Sequence, residues 1–460
     1  MGAGTRLSSG KTKGERLKEL IIRLRGSFRR MHPAKLAFLG YLSYIIVGWA
    51  ILCLPFAQQG QGVGALDNLF TATSAVSTTG LTTVNAADSY SFFGQAVVLL
   101  LIQLGGIGYM TLGSFVILAR NPELPRLRER VGQAVFSLPE SFRVDRFVKS
   151  VVTFTLLIET AGAIALYPIF RSAGDPQPLW SAIFHSVSAF CTAGFSLYNN
   201  SFEGFAGNFW LNFVIVVLSY LGAIGFIVCV DFWRKTTGRI REITLTSKII
   251  LHVTLWLSVA GTLLIFLAEP SIQAKPAADR LMAAFFQAMT SMTTVGFNTI
   301  PVGQLSKATI LLVIVLMVIG SSPSGTGGGL KSTTFSALMG VMGSAARGER
   351  EVRFWGRPIP VERVWTATAT LGFYLAALLA GAWLLEVTET SPFDRNFFEA
   401  ASALGTVGLS MGITSTLSVL GKMVVILLMF CGRVGPLTFG MAFLGKRRPT
   451  NEPQDNDLAV

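Results

Sequence analysis

The chain has 460 residues and a net charge of +13, and is 51% hydrophobic but only 14% charged, with a mean hydropathy of +0.56. A soluble protein of this size carries about 25% charged residues, so the composition excludes a soluble enzyme, a disordered chain and a fibrous protein. The 47 glycines follow no three-residue period, which excludes collagen and leaves a polytopic membrane protein.

Residues 1–35 are basic and polar and carry no A-x-A site before a stretch long enough to span, so they read as a cytoplasmic segment rather than a signal peptide. Spans of about 20 mostly apolar residues are expected at roughly 36–56, 96–119, 148–170, 209–232, 247–268, 308–345, 363–386 and 417–444. They pair into four units, 36–119, 148–232, 247–345 and 363–444, before a tail at 445–460. The sixth span is too long for one crossing and is interrupted by the glycine- and serine-rich run 320–329. Thirty of the 38 Lys and Arg fall in five stretches: ten before Ala37, seven in 120–149, five in 234–248, five in 347–363 and three at 446–448. Residues 57–94 contain none. Positive charge of this distribution marks cytoplasmic loops. It places both termini in the cytoplasm and accounts for the net charge without nucleic acid.

Between the two spans of each unit lies a shorter apolar stretch rich in Ser, Thr, Ala and Phe, of a length that suits a re-entrant segment. The four stretches align without gaps on F-x3-[ST]-x3-T-x-G-[LF]. Phe70, Ser74, Thr78, Gly80 and Leu81 open the series, and Phe184, Ser188, Thr192, Gly194 and Phe195 repeat it. Phe286, Thr290, Thr294, Gly296 and Phe297 form the third copy, and Phe398, Ser402, Thr406, Gly408 and Leu409 the fourth. Phe, Ser/Thr and Thr at i, i+4 and i+8 share one face of a short helix, and glycine lets the returning backbone turn successive carbonyls the same way. A single T-x-G-F is also a helix-packing signal; it recurs at Thr370–Phe373 inside a span. Four copies in register favour a ring. Irregular backbone at membrane depth must line a water-filled path or be buried in protein, and rings of carbonyls replace the hydration shell of a cation. The expected fold is therefore an all-α polytopic membrane protein with four parallel helix–re-entrant pore loop–helix repeats around a central ion pore. The candidate selectivity filter comprises Thr78, Thr79 and Gly80; Thr192, Ala193 and Gly194; Thr294, Val295 and Gly296; and Thr406, Val407 and Gly408.

At these residues the chain resembles the Trk/Ktr/HKT superfamily of potassium transporters over nearly all of residues 35–445. Within it the similarity is greatest to the KtrB branch, the membrane subunit of bacterial Ktr uptake systems, because the TrkH branch has two extra helices where this chain is basic and polar. The resemblance implies potassium as the transported ion, favoured by Gly80 where sodium-passing members often have serine, with sodium coupling left open. It implies a gate made by the intramembrane loop 320–334, with Gly320, Pro323, Gly325, Gly327, Gly328, Gly329 and Lys331, acting together with Arg433 of the last span. Five glycines and a proline cannot hold a helix, and a charge inside a span is a functional hypothesis by default. Snorkelling or pairing is the alternative for Arg433, as anchoring at the interface is for Lys331. A phosphate-binding reading of the loop fails because Leu330 separates the last glycine from Lys331.

The resemblance further implies a homodimer in the bacterial inner membrane, seated on a cytosolic KtrA-like regulatory ring of RCK type that binds ATP or ADP. The basic loops are plausible docking surfaces, and membrane lipid surrounds the spans. No organic cofactor is expected in this chain, and metal is expected only as K+ at filter carbonyls. The four cysteines read as buried small hydrophobes. Glu159, Glu386 and Glu399 read as ion-pairing or capping groups, Asp231 as the mark of an inner helix end, and His185 as a packing or hydrogen-bonding residue. No H-E-x-x-H, acid pair or Ser/His pairing supports an enzyme, and no catalytic residue is assigned. The alternatives are a sodium-permeable or unselective cation transporter of the same fold, or a secondary transporter of a small organic solute. The latter usually has inverted repeats with an odd number of spans.

Overall fold

The computed structural model describes residues 33–60, 62–108, 144–322, 325–349, 351–354, 357–435 and 439–440. Most of the basic N-terminal segment, most of the 120–149 loop, the tail from 445 and Pro323 lie outside the described residues. Four repeats follow one another along the chain, each a long first helix, a short re-entrant helix and a second helix. The first contains α1 (Pro33–Leu52), α2 (Ala65–Ser77) and α3 (Phe92–Ile107). The second has α4 (Val144–Ser172), α5 (Pro178–Phe190) and α6 (Phe209–Ile224), continued by α7 (Phe226–Thr236). The third is built from α8 (Leu245–Ala268), α9 (Ala277–Thr293) and α10 (Lys307–Val318), resuming after a loop as α11 (Ser332–Ala346). The fourth comprises α12 (Val361–Thr388), α13 (Phe393–Gly405) and α14 (Val419–Val434).

First and second helices differ in length for a local reason. The first helices run 20, 29, 24 and 28 residues, whereas the second helices run only 16, 16, 12 and 16. Each second helix begins at a side-chain cap: Ser91, Asn208, Ser306 and Ser418 accept from the backbone N–H three residues on. Three of them end at a glycine with positive φ, Gly108 (82°), Gly225 (93°) and Gly435 (90°), a conformation that no right-handed helix continues through. The stretch 209–232, expected as one span, is thus divided at Gly225, and its two parts are bent by 99°. Hydropathy is blind to this break because both flanks are apolar. Among the described residues, Val151–Ser172 of α4, α8 and α12 are each long and apolar enough to cross a membrane, and α6 with α7 makes a fourth candidate.

Each first helix packs on its own second helix through one glycine. A Cβ at Gly48, Gly162, Gly261 or Gly381 would crowd the methyls of Leu101, Leu218, Leu316 or Leu428 respectively. Small-on-large seating of this kind brings helix axes close without any polar contact. The four phenylalanines that open the repeated pattern, Phe70, Phe184, Phe286 and Phe398, are fully buried behind the re-entrant helices. Large apolar side chains such as Leu156, Ile164, Trp210, Leu255, Trp365 and Leu379 are exposed on the outer helices, an outside that suits hydrocarbon. Asp231 sits in the middle of α7 rather than at a helix end; it accepts from the Thr244 backbone (3.1 Å), Thr244 Oγ1 (2.6 Å) and Ser247 Oγ (2.6 Å), and so fixes the start of α8.

Candidate functional site: a ring of four Thr-x-Gly segments

Every re-entrant helix ends in the same way. The pattern threonine that follows it is left-handed: Thr78, Thr192, Thr294 and Thr406 have φ of 52°, 51°, 60° and 50°, the C-cap itself in three repeats and the residue after the C-cap Cys191 in the second. A β-branched residue ordinarily avoids this region; each instance costs on the order of 1–3 kcal/mol and persists only where its surroundings enforce it. Enforcement comes from the Ser/Thr four positions earlier. The backbone N–H after each threonine (Thr79, Ala193, Val295, Val407) donates to the carbonyl of Ser74, Ser188, Thr290 or Ser402, at 2.8, 2.8, 3.2 and 2.8 Å. The same four hydroxyls then fix the next turn. Ser74 Oγ and Ser402 Oγ accept from the Gly80 and Gly408 amides (3.0 and 3.1 Å), while Ser188 Oγ and Thr290 Oγ1 donate to the Phe195 and Phe297 carbonyls (2.8 and 2.7 Å). The Ser/Thr of the pattern is thus a cap for the returning backbone.

The structure brings all twelve candidate filter residues together. Gly80, Gly194, Gly296 and Gly408 have φ of 92°, 65°, 83° and 93°, and each lies flat against the neighbouring repeat. A side chain at Gly80 would overlap the Ala193 carbonyl oxygen, one at Gly194 that of Val295, one at Gly296 that of Val407, and one at Gly408 that of Thr79. First leans on second, second on third, third on fourth and fourth on first, so the ring is closed. The threonines are wholly buried, and the negative ends of four helix dipoles point at them.

The break between α10 and α11 packs directly on the threonine side of this ring. Thr326 is its centre. Its N–H donates to the Gly222 carbonyl (3.1 Å) and its hydroxyl to Phe190 O (3.0 Å), while Thr192 Oγ1 lies 3.1 Å from that hydroxyl. Its carbonyl accepts from Thr78 Oγ1 (3.3 Å) and from Arg433 Nη1. Gly328 N–H donates to Thr294 Oγ1 (3.2 Å), and a Cβ at Gly328 would overlap Thr406 Oγ1. The loop therefore touches the filter threonine of every repeat. Lys331 Nζ donates back to Gly327 O (2.7 Å), and Leu330 N–H to Val318 O (3.0 Å), across the break. The second guanidinium nitrogen of Arg433 reaches the Gly105 carbonyl, so this cation ties the fourth repeat to the first as well as to the loop.

Gly320, Gly325, Gly327, Gly328, Gly329, Lys331 and Arg433 are accordingly grouped at one place; Pro323 is outside the described residues. Thr326, which makes more cross-repeat contacts than any of them, carries no motif that distinguishes it from its serine neighbours. His185 is occupied structurally. Its Nδ1 lies 2.7 Å from Ser181 O, and its Nε2 is 3.0 Å from Ser196 Oγ and accepts from the Leu197 amide at 3.3 Å. Glu386 accepts from Asn396 (2.9 Å), and Glu399 from Ser410 (2.8 Å) and Thr414. At the opposite end of the re-entrant helices, Asp67, Asp279 and Asp394 sit in the first turns of α2, α9 and α13, where the helix dipole favours them.

Four parallel re-entrant units closed into a ring define a helical membrane protein of the pore-loop class. A family model described as a cation transport protein, TrkH, matches residues 44–447; the chain belongs to this family, in line with the superfamily expected from the repeats. It is similar to the "Potassium/sodium uptake protein NtpJ" of Enterococcus hirae, at 34% identity over 91% of this chain and 94% of the relative. It is also similar to the "Ktr system potassium uptake protein B" of Bacillus subtilis, at 33% over 90% and 93%. The crystal structure of the potassium transporter TrkH from Vibrio parahaemolyticus shares the fold, with a TM-score of 0.69 at 20% identity, covering 88% of this chain and 85% of that one. The chain is thus a multi-pass membrane transport protein and not an enzyme.

Proposed function

We propose that this protein carries potassium into a bacterial cell across the inner membrane, through the ring of four Thr-x-Gly segments acting as a selectivity filter. The closed ring is the observation that carries the reading. Carbonyls held by capped, left-handed backbone and pressed against the next repeat cannot collapse onto a smaller ion, and they replace the water that a cation sheds. The hydroxyl of Thr406 is buried against Gly328 of the loop with no hydrogen-bond partner among the described residues. Loop 320–334 and Arg433 are the gate, and Lys331 braces the loop. The relatives named as Ktr system proteins support a KtrA-type cytosolic partner; in this reading that partner controls the gate by binding ATP or ADP, the protein is a homodimer, and the distribution of Lys and Arg puts both termini in the cytoplasm. The relative named for potassium and sodium supports a second reading, in which sodium accompanies or drives potassium.

The test is cation flux in proteoliposomes, comparing rubidium with sodium and wild type with Gly296→Ser. Rubidium-selective flux is expected in wild type. The mutant, whose new side chain must displace the Val407 carbonyl, is expected to lose that preference by tenfold or more, a change of about 1.4 kcal/mol. Folded protein that passes neither ion, alone or with a regulatory ring, overturns the pore; equal fluxes in wild type overturn the selectivity.

A further inference from the structure

The four repeats are alike at the ring but not behind it. The first-helix glycines Gly48, Gly162, Gly261 and Gly381 occupy matching places. The residues three positions before them are Ile45, Glu159, Ser258 and Leu378, so the second repeat alone carries a carboxyl there. Glu159 is 5% exposed. Gln103 Nε2 of α3 donates to its Oε2 at 2.9 Å, and Cys191 Sγ lies 3.7 Å from its Oε1 and 3.5 Å from Gln103 Oε1. Its backbone carbonyl accepts from Ser186 Oγ of α5 (2.7 Å). Cys191 caps α5 and directly precedes the left-handed Thr192.

The matching residues elsewhere are not held from outside. Ser77 Oγ donates to Ser74 O (3.2 Å) and meets Thr79 Oγ1 (2.7 Å), Thr293 Oγ1 donates to Met289 O (2.7 Å), and the fourth repeat has Gly405. Beside Glu159 lies a largely apolar groove of about 590 Å³, lined by Leu156, Thr160, Ala163, Ile164, Tyr167 and Ile183 among others. The carboxyl itself is almost wholly buried, which strengthens the bonds it makes. A carboxyl at this depth is costly unless it is used.

We propose that Glu159 is a positioning residue for cation selectivity: with Gln103 it clamps Cys191 and thereby fixes the second-repeat segment Thr192–Gly194. The inference rests on the filter reading above. It is tested by the ratio of rubidium to sodium flux in proteoliposomes for Glu159→Leu, Cys191→Ala and Cys191→Ser, with the Glu159→Leu/Cys191→Ala double variant. Glu159→Leu and Cys191→Ala are expected to lower the ratio about tenfold, the loss of one buried hydrogen bond. Cys191→Ser, which keeps a donor, is expected to restore most of the ratio. The double variant is expected to be no worse than either single one, because both remove the same clamp. A fall in total flux at unchanged ratio, an unchanged protein, or additive losses overturns the clamp while leaving the filter intact. Absence of selectivity in wild type overturns the filter instead. Should Glu159→Leu fail to fold, the Cys191→Ala and Cys191→Ser pair decides alone.

Discussion

Thr326 shows how much one side chain can do in a loop made of glycine and serine. Its hydroxyl reaches Phe190 O and Thr192, while its carbonyl holds Thr78 and Arg433. Thr326→Val keeps the shape and the carbonyl but removes the hydroxyl. Two buried hydrogen bonds at about 1 kcal/mol each then cease to hold the loop against the ring. Rubidium flux without any cytosolic partner is expected to rise by roughly 5- to 30-fold, measured in proteoliposomes against wild type at equal protein; unchanged flux would show that the loop is held elsewhere. At this scale the sequence was half readable. The repeated Thr, Gly and Ser/Thr stood out by spacing, but the left-handed threonines did not, since residue type argues against that conformation. Nor did Thr326 or the Glu159–Cys191 contact, because both partners come from remote parts of the chain.

Helices in this protein approach one another at glycines that face carbonyls. Gly105, Gly222 and Gly432 of α3, α6 and α14 lie against the carbonyls of Val76, Phe190 and Leu404, each four residues before a filter glycine. In the third repeat the corresponding place falls at Gly320, where the helix stops and the loop begins. Gly105→Ala is expected to push α3 off α2 and lower thermal stability in detergent, with a cost of about 1–3 kcal/mol from overpacking. Gly372→Ala in α12, where a Cβ meets open space, is expected to leave stability unchanged or raise it by up to about 1 kcal/mol. Equal effects from the two would remove the close approach as a cause. The existence and order of the helices were legible from hydropathy. The shared break of the second helices was not, because glycine at a helix end and glycine at a helix contact look the same in one sequence.

Across the whole molecule, the repeats are also joined at the face where the re-entrant helices begin. Phe202 N–H donates to Asn298 O (3.0 Å) and Asn298 Nδ2 to Glu203 (2.7 Å), linking second to third. Asn85 bonds Asn199 between first and second. Lys422 Nζ lies 2.7 Å from Asp67 Oδ1 and closes fourth onto first. Burial alone would raise the Asp67 carboxyl, but the hydrogen bonds from Lys422 and Thr83 and the Lys422 charge together outweigh it and hold the pKa below the ordinary carboxylate value. A depressed folded value means that the pair stabilises above the unfolded pKa of about 3.9 and ceases to as pH falls through the lower folded one. The contribution is on the order of 1 kcal/mol for a pair at the surface. Thermal unfolding of wild type and Lys422→Met between pH 3 and 7 is expected to show a wild-type advantage that is full near neutrality and vanishes at the acid end; a constant difference would assign it to packing. The ring itself has a consequence for tuning. Because every segment rests on the next and the last on the first, the four share one degree of freedom, much as the voussoirs of a circular vault do. A single tether from outside is then enough to set the phase of all four. A single-chain protein with unlike repeats can place that tether in one of them and leave the other three free to vary.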